Sequence, residues 1–140
     1  MRIGKIAATI ALACLLAACG HFPKRFPVGL GAELSSMGAP QTPFIRGRLV
    51  CAINVKAALA ARGISVPQSN YAKAFLTWGR PSPCVAGAVA VYDRGGVRGH
   101  AALVSGVDPD GTIRVWNPSA RAQAWREGRY HKRPIACRMP

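Results

Sequence analysis

Acidic residues are nearly missing from this chain: five Asp+Glu stand against 19 Lys+Arg in 140 residues, a formal charge of +14. So few carboxylates exclude a carboxylate-rich calcium or magnesium site. They also argue against catalysis by a carboxylate pair. Histidine is scarce as well. His21, His100 and His131 are scattered with no two at ligand spacing, so no metal and no other cofactor is expected. Zinc-finger spacing and the aromatic-rich sheet motif of RNA-binding domains are both missing, which removes nucleic acid as the expected partner. Internal repeats are lacking, and no apolar run reaches the roughly 20 residues that span a bilayer.

What the chain does have is apolar content. Half of its residues are hydrophobic and only 17% are charged, enough for a buried core in one domain. The N-terminus is organised differently. Arg2 and Lys5 precede an apolar stretch from Ile6 to Cys19, the order of an export signal. The stretch closes on Leu16-Ala17-Ala18-Cys19-Gly20, which resembles a bacterial lipobox. That resemblance implies a signal peptide over residues 1–18 and lipidation of the Cys19 thiol. It also implies an outer-membrane lipoprotein facing the periplasm, held to the membrane through its N-terminal lipid. Residues 19–43 carry Pro23, Pro27, Pro40 and Pro43 without lasting periodicity and are expected to be a tether.

The domain is expected over residues 44–140. Residues 51–62 (CAINVKAALAAR) read as an alanine-rich helix that Gly63 ends, with Cys51, Val55, Ala58 and Leu59 on one face. Ser69 to Trp78 reads as a second helix, stopped by Gly79-Arg80-Pro81. The pattern then turns to strands at Ala86–Tyr92, His100–Val107 and Thr112–Asn117. Turns at Asp93–Gly96 and Asp108–Gly111 separate them. A further strand, interrupted by Pro134, is expected between Arg129 and Arg138. Helices followed by an antiparallel meander make an α+β domain.

Three residues in this layout suit nucleophilic catalysis. Cys51 opens the first helix, where the dipole and free amide N–H groups favour a thiolate, and Arg46 and Arg48 lie just upstream. His100 heads the second strand after a glycine-rich run and is the candidate general base. If Val107 pairs with Thr112 across the turn, His100 and Asn117 become diagonal neighbours on one sheet face, so Asn117 can orient the imidazole. A one-residue slip would send it to the opposite face. Each residue also has a plainer reading: a buried structural cysteine, a structural histidine, and an asparagine that ends a strand before Pro118.

The ordered set resembles the CHAP and NlpC-type cysteine peptidases. The likeness is carried by Cys51 at a helix start, the block Ser69–Gly79 (SNYAKAFLTWG), GHAALVSGV from Gly99, the Asp-Gly turn and the closing Arg138-Met139-Pro140. It implies a papain-like α+β fold, with N-terminal helices packed on a small antiparallel sheet or barrel. It further implies hydrolysis of peptidoglycan amide bonds by a Cys51–His100–Asn117 triad. The expected partner is the peptidoglycan stem peptide, whose carboxylates suit a basic protein, with Arg46, Arg98 and Arg121 as candidate contacts. A monomer is expected. The rival expectations on the same fold are an inactive wall-binding or scaffold lipoprotein, and a transferase acting through the same triad.

Five cysteines remain to be placed. Cys14 leaves with the signal and Cys19 takes lipid, so Cys51, Cys84 and Cys137 share an oxidising compartment. In a papain-like sheet the last strand returns beside the first, which pairs Cys84 with Cys137 and leaves Cys51 free. The alternative is that both stay reduced and buried.

Overall fold

The computed structural model describes residues 39–140. The expected signal peptide, Cys19, His21 and most of the expected tether lie outside the described residues. The rest of the chain is mostly β, a six-stranded antiparallel sheet with few helices. Helix α1 spans Val50–Ala60 and a short 3-10 helix spans Ala72–Thr77. The strands are β1 (Arg80–Pro81), β2 (Val89–Tyr92), β3 (His100–Val107), β4 (Ile113–Ser119), β5 (Ala124–Arg129) and β6 (Ala136–Met139). Their order across the sheet is β1-β6-β2-β3-β4-β5.

Alternation along β2 and β3 divides the core in two. Val89, Val91, Ala101 and Leu103 meet Ala52, Val55, Ala58 and Leu59 of α1, together with Phe75 of the 3-10 helix. The other face carries Ala88, Ala90, Tyr92, Ala102, Val104, Val115, Cys137 and Met139. Every residue of β2 is buried, which is why it reads as a continuous apolar run rather than an alternating one. Phe75 is fully buried and sets its ring edge against Trp78, 5.3 Å away at 87°. Burial of a side chain of that size is worth about 1.5–3 kcal/mol.

Several expectations need correction. Ser69–Trp78 is not an α-helix. Only Ala72–Thr77 is helical, as 3-10, with both flanking residues extended. No side chain caps it, and Lys56 instead ties down residues 68–70, donating to Gln68 O at 2.9 Å and Asn70 Oδ1 at 2.8 Å. The strand expected between Arg129 and Arg138 is shorter, since β6 begins only at Ala136, and β5, which ends at Arg129, is not among the expected strands.

The hairpin register also differs. Val107 faces Ile113, not Thr112, and Gly106 faces Arg114. A bulge between Val104 and Gly106 then restores the expected alignment, so Val104 faces Val115 and Leu103 faces Trp116.

The expected disulfide is present. Cys84 and Cys137 are bonded across 53 residues, joining the segment before β2 to β6. A second tie runs parallel to it: Arg138 donates to Trp78 O at 2.8 Å and Gly79 O at 3.0 Å. Gly79 has φ +55°, and a Cβ there would lie 1.9 Å from Met139 O, so no other residue fits without moving β6.

Candidate active site

Helix α1 begins one residue before Cys51, so the Cys51 amide is among the first-turn N–H groups that have no acceptor within the helix. No side chain caps this end and no acid occupies its first turn. The entry of the chain is fixed instead by Asn54, fully buried one turn in. Its Oδ1 accepts from Ile45 N–H at 2.9 Å, and its Nδ2 donates to Ile45 O at 2.9 Å and Val50 O at 2.8 Å. That amide pins the strand-like lead segment against the helix and so sets where Cys51 stands. Cys51 is half-buried, packs against the α1 core cluster, and is the free cysteine among the described residues.

His100 comes from the other direction. It heads β3, pairs with Tyr92 across the sheet, and is only 2% exposed. By alternation it shares a face with Ala102 and Val104, the face away from α1. Its ring stacks on Tyr130 at 4.9 Å and 20°, and lies 5.8 Å from Tyr92. Tyr130 also meets the His131 ring at 4.6 Å, tilted by 37°. The phenol oxygen of Tyr130 accepts from Arg94 Nε at 2.9 Å and from Arg94 Nη2 at 2.5 Å. The preceding Gly99 has φ +57°. The room beside it is filled by Lys73 and the Tyr92 carbonyl, each 3.0 Å from where a Cβ would sit. A side chain at this position would therefore press on Lys73 and the Tyr92 carbonyl.

The structure brings Cys51, His100 and Asn117 to the wall of one cavity of about 550 Å³. The cavity lies where β3 begins and β4 ends, bounded also by the 48–51 segment and the 94–99 loop. Of the arginines expected to contact substrate, Arg98 lines it, whereas Arg46 and Arg121 do not. Arg48 and Arg94 line it as well.

The three side chains share this cavity without well-formed bonds between them. Neither imidazole nitrogen of His100 makes a well-formed hydrogen bond among the described residues, although the Asn117 side chain lies close enough to favour the charged ring. Asn117 Oδ1 is likewise buried without a well-formed bond. Burial pushes His100 down from 6.5 to about 4, and the Arg94 charge adds to this. The nearby Asn117 amide opposes the shift and His131 contributes a little more. At neutral pH the imidazole is therefore uncharged, and burial and Arg94 both oppose its protonation. A thiol-to-imidazole transfer requires the ring to turn or Cys51 to approach, a tightening common on substrate binding.

Sequence reasoning missed Asn54, Arg94 and Tyr130. An amide in the middle of an alanine-rich helix face was a usable signal for Asn54, since a buried amide needs partners. Nothing local marks Tyr130, which meets His100 only through the fold. No group of three or more His, Cys, Asp or Glu side chains among the described residues is placed to hold a metal. Set against family models, curated proteins and solved structures, the chain matches none of them.

Proposed function

We propose that this chain is a cell-envelope cysteine hydrolase that cleaves peptide or amide bonds of peptidoglycan, built on a papain-like arrangement of helix and sheet. In this reading Cys51 is the nucleophile. Its sulfur attacks the scissile carbonyl, His100 accepts the thiol proton and returns it to the leaving amine, and water then hydrolyses the thioester. The Cys51 backbone N–H, at the start of α1, supplies one donor to the oxyanion. Asn117 orients the imidazole. Lipid at Cys19 would hold the domain at the outer membrane, facing the wall.

The observation that carries the reading is the shared cavity: a free half-buried cysteine, a deeply buried histidine and an asparagine converge on one pocket from three separate elements. The disulfide supports it by leaving Cys51 as the free thiol among the described residues. The test is mass spectrometry of muropeptides after incubation with wild-type protein and with Cys51→Ala. New cleavage products with wild type alone are expected. Identical digests would sink the hydrolase.

One observation favours a second reading, a wall-binding protein without turnover. His100 contacts aromatic rings and not the thiol, and its nitrogens make no well-formed bond. Under that reading muropeptides bind, none is cut, and Cys51 stays inert to alkylating probes at neutral pH. Amine-dependent products would instead mark a transferase.

A further inference from the structure

The cavity beside Cys51 has a charge imbalance that nothing among the described residues corrects. Arg48, Arg94 and Arg98 line it, and no acidic residue does. The four acids among the described residues are engaged elsewhere. Asp93 pairs with Lys73 at 2.9 Å, Asp108 with Arg114 at 2.9 Å and Arg129 at 2.8 Å, Asp110 with Arg129 at 3.6 Å, and Glu127 with Arg114 at 3.8 Å. None of the three cavity arginines makes an ion pair among the described residues. Grouped like charges repel, so the cluster costs stability unless an anion joins it.

A second observation points to a ligand in the same place. His100 is 98% buried by its 2% exposure, lines the cavity, and leaves both ring nitrogens without a well-formed bond. Asn117 Oδ1 on the same wall is buried too, close to the His100 ring but without a well-formed bond to it. Buried polar atoms without a well-formed bond are rare, and each is destabilising unless something completes it.

Arg94 is the arginine held in place. Its Nε and Nη2 both donate to Tyr130 Oη, and the Tyr130 ring is stacked on His100. The guanidinium is thereby fixed relative to the base. Nη1 keeps both of its protons free of a protein acceptor among the described residues, and the planar guanidinium matches a planar carboxylate.

We propose that Arg94, with Arg48 and Arg98 beside it, forms a carboxylate-binding subsite in the Cys51 cavity, so that the site selects peptides with a free carboxylate and discriminates against their carboxamides. This rests on the reading of the cavity as a peptide site. It assigns the selection to Arg94, which neither the composition nor the spacing of the arginines singles out.

The test separates recognition from chemistry. Calorimetric titration of the full-length Cys51→Ala protein compares a synthetic stem tetrapeptide bearing free carboxylates with its fully amidated twin. The free acid should bind at least about tenfold more tightly, the value of one charge-assisted bond. Arg94→Gln should erase most of that ratio, Arg94→Lys should keep part of it, and Tyr130→Phe, which frees the guanidinium, should reduce it. Arg133→Gln, outside the cavity, should leave the ratio unchanged. Equal affinities for acid and amide, binding of neither, or a preference that survives Arg94→Gln overturns the subsite. Wild-type cleavage of the same pair is scored separately. Preferential binding without cleavage removes the hydrolase and keeps the subsite, and cleavage of both peptides at one rate does the reverse.

Discussion

The imidazole of His100 and the phenol of Tyr130 lie nearly parallel, 20° apart in plane and 4.9 Å between centres. Tyr130 follows the edge strand β5, while His100 opens β3, so this stack bridges positions separated by the whole β4–β5 hairpin. Tyr130 in turn holds Arg94, whose cation sits 5.6 Å from the centre of its ring. The imidazole, an aromatic plate and a fixed cation thus form one unit.

That unit predicts how His100 titrates. Removing the cation in Arg94→Gln should raise the His100 pKa from about 4, because the Arg94 charge holds it down. It should remain below 6.5, since burial is the larger cause. Proton NMR of the imidazole across pH 3–8 measures this. A titration identical to that of wild type would mean that Arg94 does not act on the ring.

Stability should depend on pH through the same residue. The folded state binds the His100 proton near pH 4 and the unfolded state near 6.5, so between these values the unfolded chain carries more protons. The contribution is complete above about pH 6.5 and is lost as pH falls through 4, on the order of 3 kcal/mol in total. Urea unfolding of wild type beside His100→Phe isolates it. The gap between the two should change across this window, and a constant gap would contradict the burial argument.

If the hydrolase reading holds, Cys51→Ala and His100→Ala lose several powers of ten in turnover and keep the wild-type circular dichroism spectrum. Asn117→Ala should be milder, about ten- to a hundredfold, because it orients and does not react. Turnover in Cys51→Ala equal to wild type would falsify the assignment.

Non-reducing peptide mapping should return a cross-linked 84–137 peptide with Cys51 alkylated. Reduction should destabilise the domain by about 4 kcal/mol, the chain-entropy value for a loop of 53 residues. An unchanged denaturation midpoint under strong reductant would show that Arg138 and the strand ladder suffice to hold β6.

Gly79→Ala should be among the most damaging single substitutions, by about 3 kcal/mol or more, since its methyl group would strike the Met139 carbonyl at a left-handed φ. Gly96→Ala is the contrast: nothing lies within 4 Å of its Cβ position, so only the strain of φ +56° is felt. Thermal unfolding of the two variants should rank them in that order.

Much of the fold was legible because its signals are local. The turns at Asp93–Gly96 and Asp108–Gly111, the valine-rich strand before the first, and the alanine helix closed by Gly63 all announce themselves within a few residues. β5 did not. Its sequence, AWREGR, is charged and contains glycine, and it is a strand only because β4 offers a ladder from Arg114 to Ser119. The two-residue β1 exists for the same reason, as a partner for β6. The site followed the same division. Cys51 and His100 stand at element starts that sequence patterns mark, whereas Asn117, expected to end its strand, lies inside β4, which runs on through Pro118 to Ser119. The Arg94–Tyr130 plate behind His100 depends on where β5 delivers its last residue. The bulge after Val104 shows how a local error can cancel: the turn is one residue longer than its chemistry suggests, and the bulge takes that residue back before Leu103.

The place of β6 in the sheet governs when this protein can exist as a folded object. Residues 136–139 sit between β1 and β2, so β2 lacks its second neighbour until those residues are available. A polypeptide emerging N-terminus first from a ribosome or an export channel has made α1, β2, β3 and β4 before that happens, and it must hold an unpaired edge of buried valine and alanine in the meantime. Chains cut short by only a handful of residues would never close that edge. Such truncated products are expected in proteolytic debris or aggregates rather than as a weakly active population.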